Sequence, residues 1–452
     1  MPLDLSALDS ASRLFVEADL QVATGGGGRF QPTGFPDLGP ALYRGADGAN
    51  WLLIESPQSM ANRLERVCWV DGNEETDRVG SYNADCQGIP YVLATDSDGR
   101  PLTASTLEAH RLSSPYIWNT QPFTDPDDAG KELTIADYLR RLFGLTENRL
   151  VPWKKVAEGL LKVDPGCLLH GIWFNEALFG GGKVRITRAL SGYIEAREPS
   201  AVNFGFQKRD SVSDRTDREA GHSAAEGYGS VIGPKQHFTS PEIKAYFQVD
   251  LERLRSYGLS AALVRALAAW AIYKIRRVLV ASRDGVADLR TECKFATSNV
   301  SASLVDNKTG RTSSYALPEL DDELVAAFKE LKHSRAPIKV RWVPNIEGKA
   351  ELPEGVLESK VVRTGFEART KFETQKPKKG KDQSGRQPKR FFVVFGEWTT
   401  SDKERLRALN AEDPAKAIVE KAIKDYEEKW AAKAQSRKTD EMEDQEDGEG
   451  KA

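Results

Sequence analysis

Strict alternation of apolar and polar residues is the clearest pattern of the chain, and it falls at residues 243–250, IKAYFQVD. Successive side chains of a strand point to opposite faces, so this pattern predicts a half-buried strand. The inward residues would be Ile243, Ala245, Phe247 and Val249, and the outward ones Lys244, Tyr246, Gln248 and Asp250. WLLIES at 51–56 and LRTECKFATSNVSASLV at 289–305 also favour strands.

Helical periodicity follows the strand at 51–56 and recurs before the one at 289–305. Ser56 suits the N-cap position and Pro57 the first helical position. The apolar face of this first helix would hold Met60, Leu64, Val67 and Cys68, and the opposite face Ser59, Asn62, Arg63 and Arg66. The apolar run at 259–280 predicts a buried helix with a basic end, because it is interrupted by Arg265, Lys274, Arg276 and Arg277.

These elements occur in the order strand, helix, strands, strand, helix, strand. That order is typical of a ferredoxin-like, split β-α-β core. An RNA-recognition motif (RRM) is one member of this class and binds RNA on its sheet face. We therefore predict an α+β fold, while other α+β layouts stay open on pattern alone.

The remaining segments suggest a domain organisation around a core of residues 1–70 and 166–350. Mixed, turn-rich sequence at 71–165 indicates an insertion. CLLHGIWFNEAL at 167–178 favours a buried strand, and the polar, glycine-punctuated stretch at 204–238 favours a long functional or disordered loop. Beyond the core we predict a basic arm with one possible extra strand at 351–398, a helical segment at 399–435 and a disordered acidic tail at 436–452.

The overall composition fits a globular protein but does not by itself indicate a function. The 452 residues are 40% hydrophobic and 29% charged, with a net charge of −3, which suits a globular protein and argues weakly against nucleic acid. The charge is unevenly distributed, however: residues 363–390 contain ten Lys or Arg and three acids. Four scattered cysteines without a CxxC pair favour a cytoplasmic location, and the absence of a long apolar run predicts no membrane contact.

The segment FGGGKVRITRAL at 179–190 combines a glycine run with a lysine, as a phosphate-binding loop would. A Walker A motif requires a further glycine where Ala177 stands and a hydroxyl where Val184 stands, so ATP binding is not supported. Alternation instead predicts a strand with Lys183, Arg185 and Thr187 on one face. A solvated edge strand and a phosphate-binding face both remain open interpretations.

Three other groups of residues are candidates for chemistry. Gln58, Ser59, Asn62 and Arg63 add donors near a helix N-terminus, which favours anions. Phe204, Phe206, Lys208 and Arg209 mix aromatic and basic groups, as single-strand binding sites do. His222, Lys235 and His237 are alternatively candidates for general acid–base cleavage of RNA. Cys167 and His170 lack a second ligand pair, so we predict no metal, and no cofactor motif is found.

Several stretches together resemble the backbone-forming subunit of type I CRISPR effector complexes (Cascade), in the subtype U version also called G, of the RAMP superfamily. They follow one another from about residue 29 to 305: RFQPTGFPDLGPALY (29–43), LLIESPQSMANRLE (52–65), KVRITRALSGYIEA (183–196), FGFQKRD (204–210), PKQHFTSPEIKAYFQVDLERL (234–254) and LRTECKFATSNV (289–300).

The resemblance implies an RRM-like palm, a finger-like insertion at 71–165, a thumb-like loop at 205–240 and a C-terminal extension. It also implies a non-enzymatic subunit that polymerises along CRISPR RNA (crRNA) and presents it to target DNA for antiviral interference. Partners would be further copies of the chain, the repeat-end-binding and large Cascade subunits, and the helicase-nuclease. The implied RNA-binding residues are Arg44, Gln58, Ser59, Asn62, Arg63, Lys183, Arg185, Arg188, Phe206, Lys208, Arg209, Lys235 and His237.

Two competing functions remain. One is a RAMP-type endoribonuclease that processes CRISPR precursor RNA with His222 or His237 as acid or base. The other is a general RNA-binding protein unrelated to CRISPR.

Overall fold

The computed structural model describes residues 3–33, 39–72, 79–96, 99–118, 120–146, 150–174, 184–208, 231–332 and 337–342, together with the backbone of two strands at 348–352 and 391–395. The chain divides into two compact units, Met1–Trp342 and Val343–Ala452. The predicted helical segment at 399–435, the acidic tail and most of the basic arm lie outside the described residues.

The strands of the first unit are β1 (Ala11–Val22), β2 (Ala41–Arg44), β3 (Asn50–Glu55), β4 (Trp69–Val70), β5 (Ser81–Tyr82), β6 (Val92–Thr95), β7 (Pro101–Ala104), β8 (Phe123–Asp125), β9 (Asp128–Leu133), β10 (Ile172–Trp173), β11 (Arg185–Ile186), β12 (Leu190–Arg197), β13 (Ser200–Lys208), β14 (Val231–Thr239), β15 (Glu242–Asp250), β16 (Phe295–Asp306), β17 (Thr312–Ser314) and β18 (Ile338–Arg341). The second unit contributes β19 (Gly348–Leu352) and β20 (Phe391–Phe395).

The α-helices are α1 (Pro57–Arg66), α2 (Pro115–Trp118), α3 (Ile135–Phe143), α4 (Trp153–Val163), α5 (Gly166–His170), α6 (Leu251–Ser256), α7 (Ala261–Val280) and α8 (Asp322–Ala327). Short 3-10 helices lie at Ser6–Asp9, Ala84–Cys86, Arg111–Ser113, Val286–Asp288 and Lys329–Leu331. In the part of the chain that is described, no helix is both long and apolar enough to cross a membrane.

A seven-stranded antiparallel sheet forms the centre of the first unit, in the order β17-β16-β1-β15-β12-β3-β2. Four neighbouring strands of this sheet, β16, β1, β15 and β12, form a unit with the helices α1 and α7. Along the chain these elements occur in the order β1, α1, β12, β15, α7 and β16. In space, β1 pairs with both β15 and β16, and β15 pairs with β12. The α+β class is confirmed, and this strand arrangement is that of a split β-α-β unit.

The alternation at 243–250 holds in the structure. Ile243, Ala245, Phe247 and Val249 are buried, while the residues between them lie on the other, partly exposed face. The first strand of the split unit is β1, which the sequence analysis did not identify, although Leu14, Val16, Ala18 and Leu20 alternate with polar or exposed neighbours. The strand predicted at 51–56 instead extends the sheet beside β12.

The helices α1 and α7 pack on the buried side of this sheet. Ser56 caps α1 and Ser260 caps α7 through their side-chain oxygens, and Pro57 is the first residue of α1 as predicted. α7 contacts α1, β15 and β16. Its Lys274 is fully buried, with Nζ 3.0 Å from His170 Nε2 and 4.0 Å from the centre of the Trp270 ring. One of the cations at the basic end of α7, Lys274, therefore belongs to the core.

Residues 71–165 fold as small sheets and helices that continue the core of the first unit. β6 lies between β7 and β18, and the pairing of β18 with β6 is parallel. The chain therefore returns to this region after residue 337. The boundaries predicted for the insertion stay a prediction. In the second unit, β19 pairs with β20, and β20 lies within residues 351–398, where one extra strand was predicted.

The stretch at 204–238 is not a continuous loop. β13 and β14 form a two-stranded antiparallel ribbon in which Phe204 lies opposite Lys235 and Val202 opposite His237. The intervening residues 209–230 lie outside the described part. The expectation of a loop was wrong for both flanks. Val202, Phe204 and Phe206 alternate with polar residues or glycine, so β13 carried the signal of a strand.

A buried carboxyl group lies where the 71–165 region meets the core. Asp164 Oδ2 accepts a hydrogen bond from Ser105 Oγ at 2.7 Å, and Oδ1 accepts one from the Gly166 amide at 3.0 Å. Burial raises the pKa of Asp164 to about 6, with the carboxylate of Glu65 adding to the effect. The folded protein thus binds a proton at Asp164 at a pH where the unfolded chain does not.

The stability contribution of Asp164 is expected to fall as the pH rises. A raised folded-state pKa stabilises most below the unfolded value of about 3.9, and the effect is lost as the pH passes through the folded value. We expect the difference in free energy of unfolding, wild type minus Asp164→Asn, to fall by about 1 kcal/mol between pH 5 and pH 8. Urea titrations of both proteins measure it, and a difference independent of pH would contradict the account.

Candidate nucleic-acid interface

The first turn of α1 presents polar groups to solvent. The Ser59 amide donates to Ser56 Oγ at 3.3 Å, which fixes the start of the helix. Met60, Ala61, Leu64 and Glu65 are buried, so the helix rotates Gln58 and Asn62 outward and leaves Ser59 half-buried. Pro57 has no amide hydrogen and the Ser59 amide is already bonded, so the helix dipole and the Gln58 amide are what make this turn favourable for an anion.

Arg185 projects into solvent from β11, three residues before Arg188, the residue that contacts α1. Val184 and Ile186 are buried while Arg185 and Thr187 are exposed, which confirms the predicted alternation. The strand is only two residues long, however, and pairs with β10 outside the seven-stranded sheet. Within the described residues Arg185 makes no ion pair, so its charge is available. Lys183, predicted on the same face, lies outside the described part.

Arg188 joins this strand to α1. Its Nη1 donates to the Pro57 carbonyl at 2.9 Å, and the side chain is half-buried. Burial and the nearby Arg111 lower the pKa of Arg188, opposed by Glu65. No carboxylate in the described ranges forms an ion pair with Arg188. A half-buried guanidinium stays charged and is costly without an anion, so this position favours one. We call Gln58, Ser59, Asn62, Arg185 and Arg188 the basic band.

Arg63, the fourth donor predicted on α1, is engaged within the protein. Its Nε donates to the buried Glu55 at 2.7 Å, and its Nη1 and Nη2 donate to the carbonyls of Asp288 and Leu289 at 3.4 and 2.6 Å. These bonds tie α1 to the segment before β16. The predicted RNA contact of Arg63 stays a prediction. In the structure, the Arg63 guanidinium holds the segment before β16 in position.

The ribbon of β13 and β14 carries the aromatic and basic residues of the second predicted group. Phe206 lies under the Lys235 ammonium, with Nζ 5.7 Å from the ring centre, and Phe204 under Arg29 at 5.1 Å. Lys208 is exposed at the end of the ribbon, and Arg209 lies outside the described residues. Cation–aromatic pairs of this kind suit stacking of bases next to phosphates.

Glu292 links this ribbon to the segment that Arg63 holds. Its carboxylate pairs with Lys235 and lies 3.3 Å from His237 Nε2. The hydrogen bond from Lys235 lowers the pKa of Glu292. His237 is 1% exposed and packs edge-on against Phe204, and burial lowers its pKa. Glu292 gave no recognisable signal in the sequence, because its partners are more than fifty residues away.

The other predicted site residues are dispersed. Arg44 lies on the edge strand β2, exposed, with Nε bonded to the Gly48 carbonyl at 3.1 Å. No described contact joins it to the basic band. Cys167 and His170 are both buried in α5, and the described residues contain no group of three or more potential metal ligands.

The open face of the large sheet is aromatic but acidic. Tyr193 and Tyr246 stack at 5.2 Å, next to Lys244, which pairs with Glu17, Asp19 and Glu242 at 3.9, 3.6 and 3.4 Å. Burial and the carboxylates of Glu17 and Glu242 raise the pKa of Tyr246 to about 12. Surplus negative charge repels phosphates, so this face is unsuited to RNA even though its tyrosines could stack on bases.

Removing the tyrosines of the open face should therefore leave RNA binding intact. We expect Tyr193→Ala and Tyr246→Ala to change the affinity for single-stranded RNA by less than about twofold, because phosphate contacts dominate that affinity. Fluorescence anisotropy with a labelled oligonucleotide measures the effect. A loss of the size expected for a stacking contact, about 1–3 kcal/mol, would place the RNA on the sheet face instead.

Comparison with known proteins gives a family match over part of the chain. Residues 14–199 match the model of a family described as CRISPR-associated protein GSU0053, which confirms the resemblance to a CRISPR-associated family over these residues. The matched segment contains α1, the basic band and β12. No curated protein matches the sequence.

Similar solved structures also come from CRISPR systems. A chain of a "CRISPR RNA-guided surveillance complex, pre-nicking" is 12% identical with a TM-score of 0.33, covering 66% of this chain and 79% of that one. A chain of a "CRISPR RNA-guided surveillance complex" is 11% identical with a TM-score of 0.30, covering 67% and 77%. Csc2 of Thermofilum pendens is 10% identical with a TM-score of 0.24, covering 72% of each chain.

Proposed function

We propose that this chain, matched over residues 14–199 to a CRISPR-associated family, is a non-enzymatic backbone subunit that binds crRNA in a Cascade-type complex. Copies of it would polymerise along the guide and present its bases to target DNA. In this proposal the seven-stranded sheet with α1 and α7 serves as an RRM-like palm, the ribbon of β13 and β14 as the root of a thumb, and residues 71–165 as a finger.

The observation that carries the proposal is the half-buried Arg188, which lacks a carboxylate partner in the described residues and lies at the start of α1, three residues after the exposed Arg185. Backbone phosphates would compensate the two guanidinium groups, and the positive end of the α1 dipole would favour a phosphate near Arg188. Phosphate contacts carry no sequence information. That property suits a scaffold whose guide differs from one spacer to the next.

The proposed partners follow from the same role. They are crRNA, target DNA, further copies of the chain, the repeat-end-binding and large subunits of Cascade, and the helicase-nuclease. The ten Lys or Arg at 363–390 suit contact with nucleic acid by charge.

The endoribonuclease alternative has less support. Of its two candidate histidines, His237 is 1% exposed and lies against Glu292 and Phe204, so a scissile phosphate has poor access to it. His222 lies outside the described residues. Incubation of the pure protein with a labelled repeat transcript, without metal, tests this alternative. Cleavage at one site that disappears in His222→Ala or His237→Ala would replace the scaffold proposal.

Co-expression with a repeat–spacer transcript tests the proposed function. We expect the purified protein to carry RNA, seen as a raised ratio of absorbance at 260 and 280 nm, and sequencing should return spacer-containing RNA. A transcript of equal length without repeats is the control. Equal recovery of both transcripts would favour a general RNA-binding protein, and recovery of neither would contradict RNA binding.

A further inference from the structure

We propose that Trp173 is a stacking platform for an unpaired base of single-stranded RNA, placed beside the basic band. This inference rests on the proposed function, because it assumes that RNA phosphates occupy Arg185 and Arg188. It adds a base contact at a residue that is not among the predicted site residues.

Trp173 is presented to solvent by the alternation of its strand. Ile172 and Phe174 are buried, at 6% and 1% exposure, whereas Trp173 is 56% exposed. It lies directly opposite Arg185 across β10 and β11, so both side chains leave the ribbon on the same face. The apolar run at 167–178 predicted a buried strand, and this was wrong for Trp173, which is exposed, and for the four residues from Cys167 to His170, which are helical.

The backbone around Trp173 is held from several directions. Ser113 Oγ donates to the Trp173 carbonyl at 2.8 Å, and the Phe174 amide donates to the Val184 carbonyl at 3.1 Å. Arg111 Nη1 donates to the Gly171 carbonyl at 3.2 Å. A large ring on a fixed backbone loses little conformational entropy when a ligand stacks on it.

The surroundings of Trp173 favour a nucleotide over an apolar protein partner. Its neighbours on the exposed face of the ribbon are Arg185 and Thr187, both polar and exposed. A protein-docking site of the usual kind presents a contiguous apolar patch, and the described neighbours of Trp173 on this face do not form one. An indole ring next to a free guanidinium instead offers one surface for a base and one charge for its phosphate.

The test compares full-length Trp173→Ala and Trp173→Phe with wild type for binding of a labelled oligouridine. Stacking on an aromatic ring is worth about 1–3 kcal/mol per base, so we expect Trp173→Ala to bind about 5- to 150-fold more weakly. Trp173→Phe should retain most of the affinity. The salt dependence should be unchanged in both variants, because stacking releases no counterions. Trp153→Ala, at a tryptophan that is 39% exposed, is the matched control and should bind like wild type.

The possible results separate this inference from the proposed function. Wild-type affinity in Trp173→Ala, together with weak binding in a variant that lacks Arg185 and Arg188, would overturn the stacking role alone. Loss of self-association without RNA in Trp173→Ala, at unchanged RNA affinity, would show that Trp173 contacts protein instead. Absence of RNA binding by the wild type would overturn both.

Discussion

Replacing Arg185 by Glu and Arg188 by Gln together is expected to weaken binding of single-stranded RNA by at least about 100-fold, because each hydrogen bond to a charged group is worth about 1.5–3 kcal/mol. Arg185 is exposed and Arg188 is tied only to the Pro57 carbonyl, so neither change removes an ion pair of the described structure. Two lost phosphate contacts should also flatten the log–log dependence of affinity on salt by about 1.4. Anisotropy titrations at several salt concentrations give both quantities.

A second double variant separates local contacts from net charge. Arg311→Glu with Lys308→Gln changes the charge by the same amount at exposed positions of the turn between β16 and β17, at the sheet edge far from β12. We expect this control to keep most of the affinity and the wild-type salt slope. Equal losses in both double variants would show that only long-range charge matters, and the basic band would then have no specific role.

The second large effect is expected at a buried ion pair that supports the ribbon of β10 and β11. Arg111 Nε and Nη2 donate to Glu65 Oε1 and Oε2, both at 2.7 Å, and Nη1 holds the Gly171 carbonyl just before β10. We expect Arg111→Met to lower the free energy of unfolding by about 3–5 kcal/mol, because it leaves the Glu65 carboxylate buried without its partner. Urea unfolding with an unchanged m value measures this loss.

The partner substitution supplies the control for Arg111. Glu65→Gln removes the charge that Arg111→Met leaves uncompensated, so the double variant should be more stable than Arg111→Met alone. A double variant no more stable than Arg111→Met would mean that the lost bond to Gly171, and not the stranded carboxylate, causes the destabilisation.

Helices and strands could be predicted from the sequence where a clear hydrophobic periodicity, or a helix-capping residue next to it, marks the element. Ser56 and Pro57 mark the start of α1 in the sequence, and both occupy the cap positions in the structure. Alternation gave the buried face of β15 residue by residue. The same signal is present in β1 from Leu14 to Leu20, so that strand could have been found. The short β11 shows the limit of the method, because alternation does not reveal which sheet a strand joins.

The partners of the site residues could not be predicted, because they come from distant parts of the chain. The sequence placed Arg63 on the exposed face of α1, but its guanidinium is used by Glu55 and by carbonyls more than two hundred residues later. Glu292 likewise forms an ion pair with Lys235 and lies close to His237, although both residues are more than fifty positions away in the sequence. Residue types and local spacing predicted where cations lie, whereas tertiary contacts decide which of them are free for RNA.

Ultraviolet crosslinking of a bound guide RNA, followed by mass spectrometry of the peptides, tests most directly where the RNA lies. The account predicts crosslinks at Trp173, opposite Arg185, and at the ribbon residues Phe204 or Phe206, which lie next to Arg29 and Lys235. Crosslinks at Tyr193 or Tyr246 on the acidic sheet face, with none at Trp173, Phe204 or Phe206, would contradict it.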